Sequence, residues 1–221
     1  IKNTSGTLLV GLAMAIGVLQ RWMSGCQKLC SALIVERNRK MIMNNYIQIY
    51  NNIISDDYCD ELREKFDSFP FNQDVEQGPM SFTQINLNSH PEWSEDVKKL
   101  SHYFTQSVEK YKEDCAIMPE MWPNSYAFEE FRMKRYLPNG KDQFGPHVDA
   151  VSKETAIRFL VFFLYLDDND KGETAFPQLG LASPCKKGSL LMFPPLWPWL
   201  HAGNKPIDKP KYILGSYLHY K

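Results

Sequence analysis

The pattern of the chain changes once, at Tyr126, and that change limits the folds open to it. Beyond it, Tyr126 to Leu137, Ala156 to Leu166, Thr174 to Phe176, Ser189 to Phe193 and Lys211 to Tyr220 are all aromatic or β-branched, the composition of half-buried strands. Turn-forming residues separate them: Pro138-Asn139-Gly140, Asp167 to Gly172, Lys187-Gly188 and Gly203 to Pro210. No helix-period segment interrupts the series. Before Tyr126 the helical period dominates. Ser55 can cap a helix whose first turn holds Asp56 and Asp57 and whose apolar stripe is Cys59, Leu62 and Phe66, ending at Pro70. Pro91 to Cys115 carries Val97, Leu100, Phe104, Val108, Tyr111 and Cys115 at steps of three and four. Tyr46 to Ile54 reads as a first strand, and Phe71 to Asn88 as an irregular stretch broken at Gly78-Pro79. Helices first and strands after predict an α+β fold, with the helices packed on an antiparallel sheet. A strand-rich half of this length suggests a jelly roll.

The 221 residues suit one domain with a full core, and 43% apolar with 23% charged residues is an ordinary globular balance. A net charge of −1 gives no electrostatic reason to expect a nucleic acid or an anionic membrane as partner. Cys26, Cys30, Cys59, Cys115 and Cys185 are odd in number and mostly far apart, which points to free thiols and a reducing, cytoplasmic compartment. A Cys26/Cys30 pair on one helix could bind metal, but nothing near it supports that. Residues 1–42 form an N-terminal extension. Its apolar run Leu8 to Leu19 is too short to span a bilayer comfortably; the segment reads as signal-like or as a non-native, dispensable extension, with Met41 or Met43 as a natural start for the domain 43–221.

Five histidines are available, and one stands in a His-x-Asp triplet, His147-Val148-Asp149. In an extended segment residues two apart share a face, so His147 and Asp149 would project together. The competing reading is a hydrogen-bonded pair at a strand end. His201 lies between two later strand segments and is the candidate for a third ligand. Two histidines and one carboxylate with positions left open form the facial arrangement of non-haem Fe(II) sites. Lys211 begins the last strand on the face of Ile213, Gly215 and Tyr217. An inward lysine there is costly unless an anion pairs it; the alternative is a solvated strand start. Tyr165 shares its face with Phe159, Val161 and Phe163, so its phenol either enters an apolar interior and needs a partner there or sits at a strand edge.

These residues, in this order, resemble the Fe(II)- and 2-oxoglutarate-dependent dioxygenases, and in particular the prolyl 4-hydroxylase-type subgroup. The resemblance rests on Arg-Tyr-Leu-Pro-Asn-Gly (135–140), Phe-Gly-Pro-His-Val-Asp (144–149), Arg-Phe-Leu-Val-Phe-Phe-Leu-Tyr-Leu-Asp-Asp (158–168), Gly-Glu-Thr-Ala-Phe-Pro (172–177), Lys-Lys-Gly-Ser-Leu-Leu-Met-Phe-Pro (186–194), His-Ala-Gly-Asn (201–204) and Lys-Tyr-Ile-Leu-Gly-Ser-Tyr (211–217). It covers roughly Tyr46 to Lys221 and is strongest after Tyr126. It implies a double-stranded β-helix (a jelly-roll, cupin-like core) with the N-terminal helices packed on the major sheet. It also implies that His147, Asp149 and His201 hold Fe(II), and that Lys211, helped by Tyr165, binds the distal carboxylate of 2-oxoglutarate. Tyr136 would face the co-substrate or metal. The implied reaction uses O₂, with ascorbate as reductant, releases succinate and CO₂, and hydroxylates an unactivated C–H bond, of a peptidyl residue such as proline. Fe(II) and Lys211 would then balance the charges of Asp149 and the dianionic co-substrate. There are two departures: Phe144 stands where many relatives carry tyrosine, which bears on a polar contact near the iron, and Leu196 to Leu200 differs from the animal collagen-type enzymes, which bears on the substrate. The loops Phe71 to Asn88 and Val151 to Thr155 would carry substrate choice. A hydroxylase of a free amino acid or small metabolite, and a non-catalytic jelly-roll metal-binding module, remain as alternatives.

Overall fold

The computed structural model describes residues 46–221. The extension 1–42, with its apolar run and the Cys26/Cys30 pair, lies outside the described residues. Within them twelve strands form one antiparallel sheet that closes into a jelly roll, with two helices on one outer face. The strands are β1 (Gln48–Tyr50), β2 (Gln73–Gln77), β3 (Met80–Asn86), β4 (Tyr126–Phe128), β5 (Arg132–Tyr136), β6 (Gln143–His147), β7 (Arg158–Tyr165), β8 (Asn169–Phe176), β9 (Leu181–Cys185), β10 (Leu190–Phe193), β11 (His201–Gly203) and β12 (Lys211–Tyr220). The hydrogen-bonded order runs β1-β10-β7-β12-β5-β3-β6-β11-β8-β9, with β2 added to β3 and β4 to β12.

Helix α1 (Asp56–Ser68) starts as expected: the Ser55 hydroxyl accepts from the Tyr58 N–H at 3.2 Å, satisfying one of the donors every helix start leaves open. Helix α2 (Ser94–Asp114) follows a single 3₁₀ turn at Pro91–Trp93, so it begins a few residues later than its period suggested. Both helices turn their apolar stripes to the same wall. Cys59, Leu62 and Phe66 of α1 and Leu100, Phe104, Val108 and Tyr111 of α2 share one core with Met133, Leu160, Phe162, Leu164, Met192, Leu214 and Leu218 from the strands. Phe104 stacks on Phe162 with centroids 5.1 Å apart. Along β7 the even residues from Leu160 on therefore face the helices, while Arg158, at the start of the strand, reaches the cavity. The odd ones, Phe159 apart, face into the barrel, and the two-residue alternation separates a structural core from a chemical one.

Four sequence expectations need correction. The stretch Phe71 to Asn88 is not irregular: it is the hairpin β2–β3, with Gln77 opposite Met80 and a positive φ of 55° at Gly78 to make the turn. Its first strand, Gln-Asp-Val-Glu-Gln, is almost wholly polar and carries no apolar period. Tyr126 to Leu137 is two strands, because the chain leaves β12 after Phe128 and buries Phe131 toward α2 before β5 begins. Asp167 to Gly172 is only partly a turn, since β8 starts at Asn169, and Leu181–Cys185 is a strand despite Ser183-Pro184. The first strand is confined to Gln48–Tyr50. Among the described residues no helix is long and apolar enough to cross a membrane.

Candidate metal centre and its cavity

Two strands far apart in sequence set the site. β6 pairs with β11, and in that ladder His147 lies directly opposite His201. Their rings are 4.3 Å apart between centroids. β6 approaches its neighbour closely at Gly145, whose N–H donates to the Pro79 carbonyl at 3.0 Å; a Cβ there would lie 2.6 Å from the Pro79 Cβ. The strand stops at His147, so Asp149 does not reach the site by continued alternation as expected. It is brought round by a turn in which the N–H groups of Asp149 and Ala150 both donate to the Pro195 carbonyl, at 3.1 and 3.2 Å. His147, Asp149 and His201 nonetheless meet: one ligand atom from each lies within 4.8 Å of the others.

The hydrogen bonds orient all three. His147 Nδ1–H donates to the Gly145 carbonyl at 2.8 Å and His201 Nδ1–H to the Trp199 carbonyl at 3.1 Å. A carbonyl only accepts, so in the neutral rings Nε2 is left as the lone-pair atom. The Tyr217 hydroxyl donates to Asp149 Oδ1 at 2.8 Å. The remaining atoms, His147 Nε2, Asp149 Oδ2 and His201 Nε2, are buried and have no hydrogen-bond partner. The Nε2 atoms stand 3.5 and 3.4 Å from the Asp149 oxygens, too far for good N–H···O bonds. Burial pushes His201 down to about 4, so this ring is neutral. Burial also works against the Asp149 charge, but the two histidines and Tyr217 outweigh it and hold the carboxyl below its ordinary range. Lone pairs and a carboxylate converging without a proton between them repel one another unless a cation lies at their centre. The donor set therefore fits a divalent metal.

Lys211 is the fourth orphan. It is fully buried at the start of β12, and its Nζ has no partner. Glycines make room for it: a Cβ on Gly172 would meet Lys211 Cδ at 2.7 Å, and one on Gly203 would lie 3.6 Å from Nζ. Burial pushes the ammonium down to about 8. Tyr136, opposite Lys211 in the ladder, presents its ring 5.2 Å from Nζ. The Tyr165 hydroxyl donates to Thr174 Oγ1 at 2.7 Å and has Ser183 Oγ at 3.3 Å, so its partners are already within the barrel.

The triad opens into a cavity of about 360 Å³, in the range of small-ligand sites. Phe144 forms part of its wall and stacks on His147 at 3.8 Å. Sequence reading assigned no role to four residues here, Arg158, Glu129, Lys134 and Tyr217. Arg158 holds Glu129 through two hydrogen bonds of 2.7 and 2.8 Å, lies 4.0 Å from the centre of the Tyr217 ring, and donates to the Asp149 carbonyl at 3.2 Å. Lys134 also faces the cavity. Tyr217 and Lys134 were within reach of the two-residue period, which puts them on the faces of Lys211 and Tyr136; Arg158 and Glu129 gave no such signal. Because Tyr217 fixes the outer oxygen of Asp149, Tyr217→Phe is expected to weaken divalent-metal affinity by about tenfold with little change in fold. Anaerobic Mn(II) titration measures this, and parental affinity in the variant would show that the hydroxyl does not position the carboxylate.

No family model and no curated protein matches the sequence. Solved structures do match. The viral collagen prolyl hydroxylase of Paramecium Bursaria Chlorella virus-1, in its 2OG complex, superposes with a TM-score of 0.61 at 21% identity over 80% of this chain and 96% of that one. A prolyl hydroxylase from Trichoplax adhaerens, in complex with a hypoxia inducible factor peptide fragment, gives 0.61 at 14% identity over 86% and 92%. The non-heme alpha ketoglutarate dependent epimerase SnoN from nogalamycin biosynthesis gives 0.58 at 14% over 85% and 83%. The chain thus has the jelly-roll fold of the Fe(II)- and 2-oxoglutarate-dependent oxygenases, and it carries within that fold a His-Asp-His triad arranged to hold a metal.

Proposed function

We propose that the chain is an Fe(II)- and 2-oxoglutarate-dependent dioxygenase that hydroxylates an unactivated C–H bond, with a peptidyl residue such as proline as substrate and succinate and CO₂ as co-products. One observation carries this reading: three orphaned ligand atoms and an orphaned buried ammonium share one barrel interior. A metal alone explains the first three. Only an anionic co-substrate explains the cost of leaving Lys211 Nζ without a partner.

In this reading His147 and His201 hold the metal through Nε2 and Asp149 through Oδ2. When bound, Fe(II) supplies activation of O₂, and ascorbate serves as reductant. Lys211 pairs the distal carboxylate of 2-oxoglutarate, with Tyr165 and Tyr136 shaping the same end of the barrel. The backbone carbonyls at Gly145 and Trp199 fix the tautomers of the two histidines. Phe163, Phe176 and Phe193 surround His201 at 4.7–6.0 Å and keep water from that side. The hairpin β2–β3 and the loop Val151 to Thr155 border the cavity mouth and would choose the substrate. Cys59 and Cys185, buried thiols in no disulfide, support a reducing, cytoplasmic setting. A free amino acid or small metabolite is the second reading, favoured by the modest cavity volume of about 360 Å³.

The test is succinate formation by the Fe(II)-loaded protein with 2-oxoglutarate and ascorbate, screened over proline-containing peptides and free amino acids. Substrate-dependent succinate is expected. A chain that neither binds nor consumes 2-oxoglutarate under any of these conditions is not an oxygenase of this kind.

A further inference from the structure

Lys134 is a cation without an anion. It sits in the middle of β5, and the residues two before and two after share its face: Arg132, Lys134 and Tyr136 all line the cavity. Exposure falls along that row. Arg132 is exposed, Lys134 half-buried and Tyr136 buried at 3%, so the strand runs from the mouth to the floor. Three cations border the cavity mouth, and two are neutralised: Arg132 pairs with Glu130 at 2.8 Å and Arg158 with Glu129 at 2.7 Å. Among the described residues no carboxylate pairs with Lys134. Its Nζ instead lies between two rings, 4.8 Å from the centre of Phe82 and 5.0 Å from that of Phe144. Burial pushes its ammonium down to about 8; Asp149 pulls it back up, while Arg132 and Arg158 add to the depression. A metal in the triad would occupy Asp149 and remove even that relief.

We propose that Lys134 is the docking cation for a carboxylate on the substrate, so that the substrate class is an acidic one. This rests on the oxygenase reading above. The site is separate from that of Lys211, which does not line this cavity; ring contacts through Tyr136 and Phe82 connect the two ammoniums, with Lys211 Nζ 5.2 Å from Tyr136, the rings 5.4 Å apart and Lys134 Nζ 4.8 Å from Phe82. Phe144 in turn separates Lys134 from His147, on which it stacks. A carboxylate at Lys134 therefore sits above the co-substrate end and across one ring from a metal ligand, and the carbon it is attached to is led toward the triad. Its source is either the α-carboxylate of a free amino acid or an acidic side chain beside the target residue of a peptide.

The experiment measures binding, without turnover, to the Mn(II)-loaded chain saturated with 2-oxoglutarate under anaerobic conditions. The probes are two acid/amide pairs: N-acetyl-L-proline against its amide, and acetyl-Glu-Pro-amide against acetyl-Gln-Pro-amide. The parent is expected to prefer the acid of one pair by about tenfold or more. Lys134→Met, which keeps the apolar stem, should bring that ratio to about one while 2-oxoglutarate affinity stays within about twofold, and Lys134→Arg should restore part of the preference. Preference within the first pair assigns a free amino acid, and preference within the second assigns an acidic peptide. The inference is overturned if the parent prefers neither acid, if the preference survives in Lys134→Met, or if that variant loses 2-oxoglutarate instead. A parent that binds no 2-oxoglutarate overturns the oxygenase reading, a failure separate from these.

Discussion

His201→Ala is expected to abolish metal binding and, with it, any consumption of 2-oxoglutarate. The ring is 1% exposed and contributes one of three converging atoms. Removing a ligand should cost about a hundredfold or more in metal affinity, at least the upper end of what losing an outer-shell partner costs. The fold should tolerate the change better than its burial suggests. In the metal-free chain Nε2 is an unsatisfied buried acceptor facing a carboxylate, so its removal also removes a penalty. The aromatic wall around it will leave a gap, and His201→Gln fills most of that volume with a poorer ligand. Titrating Mn(II) anaerobically into both variants, with far-UV circular dichroism as the check on folding, settles it. Parental affinity in a folded His201→Ala chain would mean that the triad is not the metal site.

Lys211→Met separates an oxygenase from a metal-binding barrel, and its two effects have opposite signs. Affinity for 2-oxoglutarate should fall by about 2–5 kcal/mol, the range for removing one member of a desolvated charge pair, with metal affinity nearly unchanged because no ligand is touched. The ligand-free chain should become more stable, since a buried cation with no partner is gone. The pH dependence follows from the depressed ammonium, near 8 in the fold against an ordinary 10.5. A depressed lysine favours the neutral native form. Its cost to the parent is therefore full below about pH 8 and disappears as pH rises toward 10.5. The stability gap between variant and parent is widest on the neutral side, at most about 3 kcal/mol, and closes on the alkaline side. Thermal unfolding at two pH values, with and without 2-oxoglutarate, reads both effects. Unchanged co-substrate affinity in Lys211→Met would move the anion site elsewhere.

The parts of this molecule that a sequence can announce are those written in a period. Leu100, Phe104, Val108 and Tyr111 gave α2, and the alternation in β7 and β12 correctly turned Tyr165 and Lys211 inward. The triad was legible because His147 and Asp149 are close in sequence and few other histidines were available. Its geometry was not, since Asp149 reaches the site through a turn held by the Pro195 carbonyl, a contact with no local signature. The hairpin β2–β3 escaped for a related reason: β2 is stabilised by backbone pairing with β3 and is polar on both faces. Arg158 and Glu129 are joined across separate elements, and nothing in either neighbourhood foretells the other. Local pattern determines which way a side chain points, whereas its partners depend on closure of the barrel.

That closure gives the pairing of β6 with β11 a meaning for how the molecule matures. The two histidines face each other across a ladder whose strands are separated in the chain by β7 through β10, so no fragment shorter than the span from β6 to β11 carries all of the ion's ligands. A slip of one residue in that ladder would turn one imidazole to the opposite side of the sheet. An arriving metal therefore samples only molecules whose strands have found their correct register, and capture removes those molecules from further rearrangement. Metal loading in such a protein acts as a proofreading step: the fraction of chains able to retain the ion is a count of those that finished folding correctly.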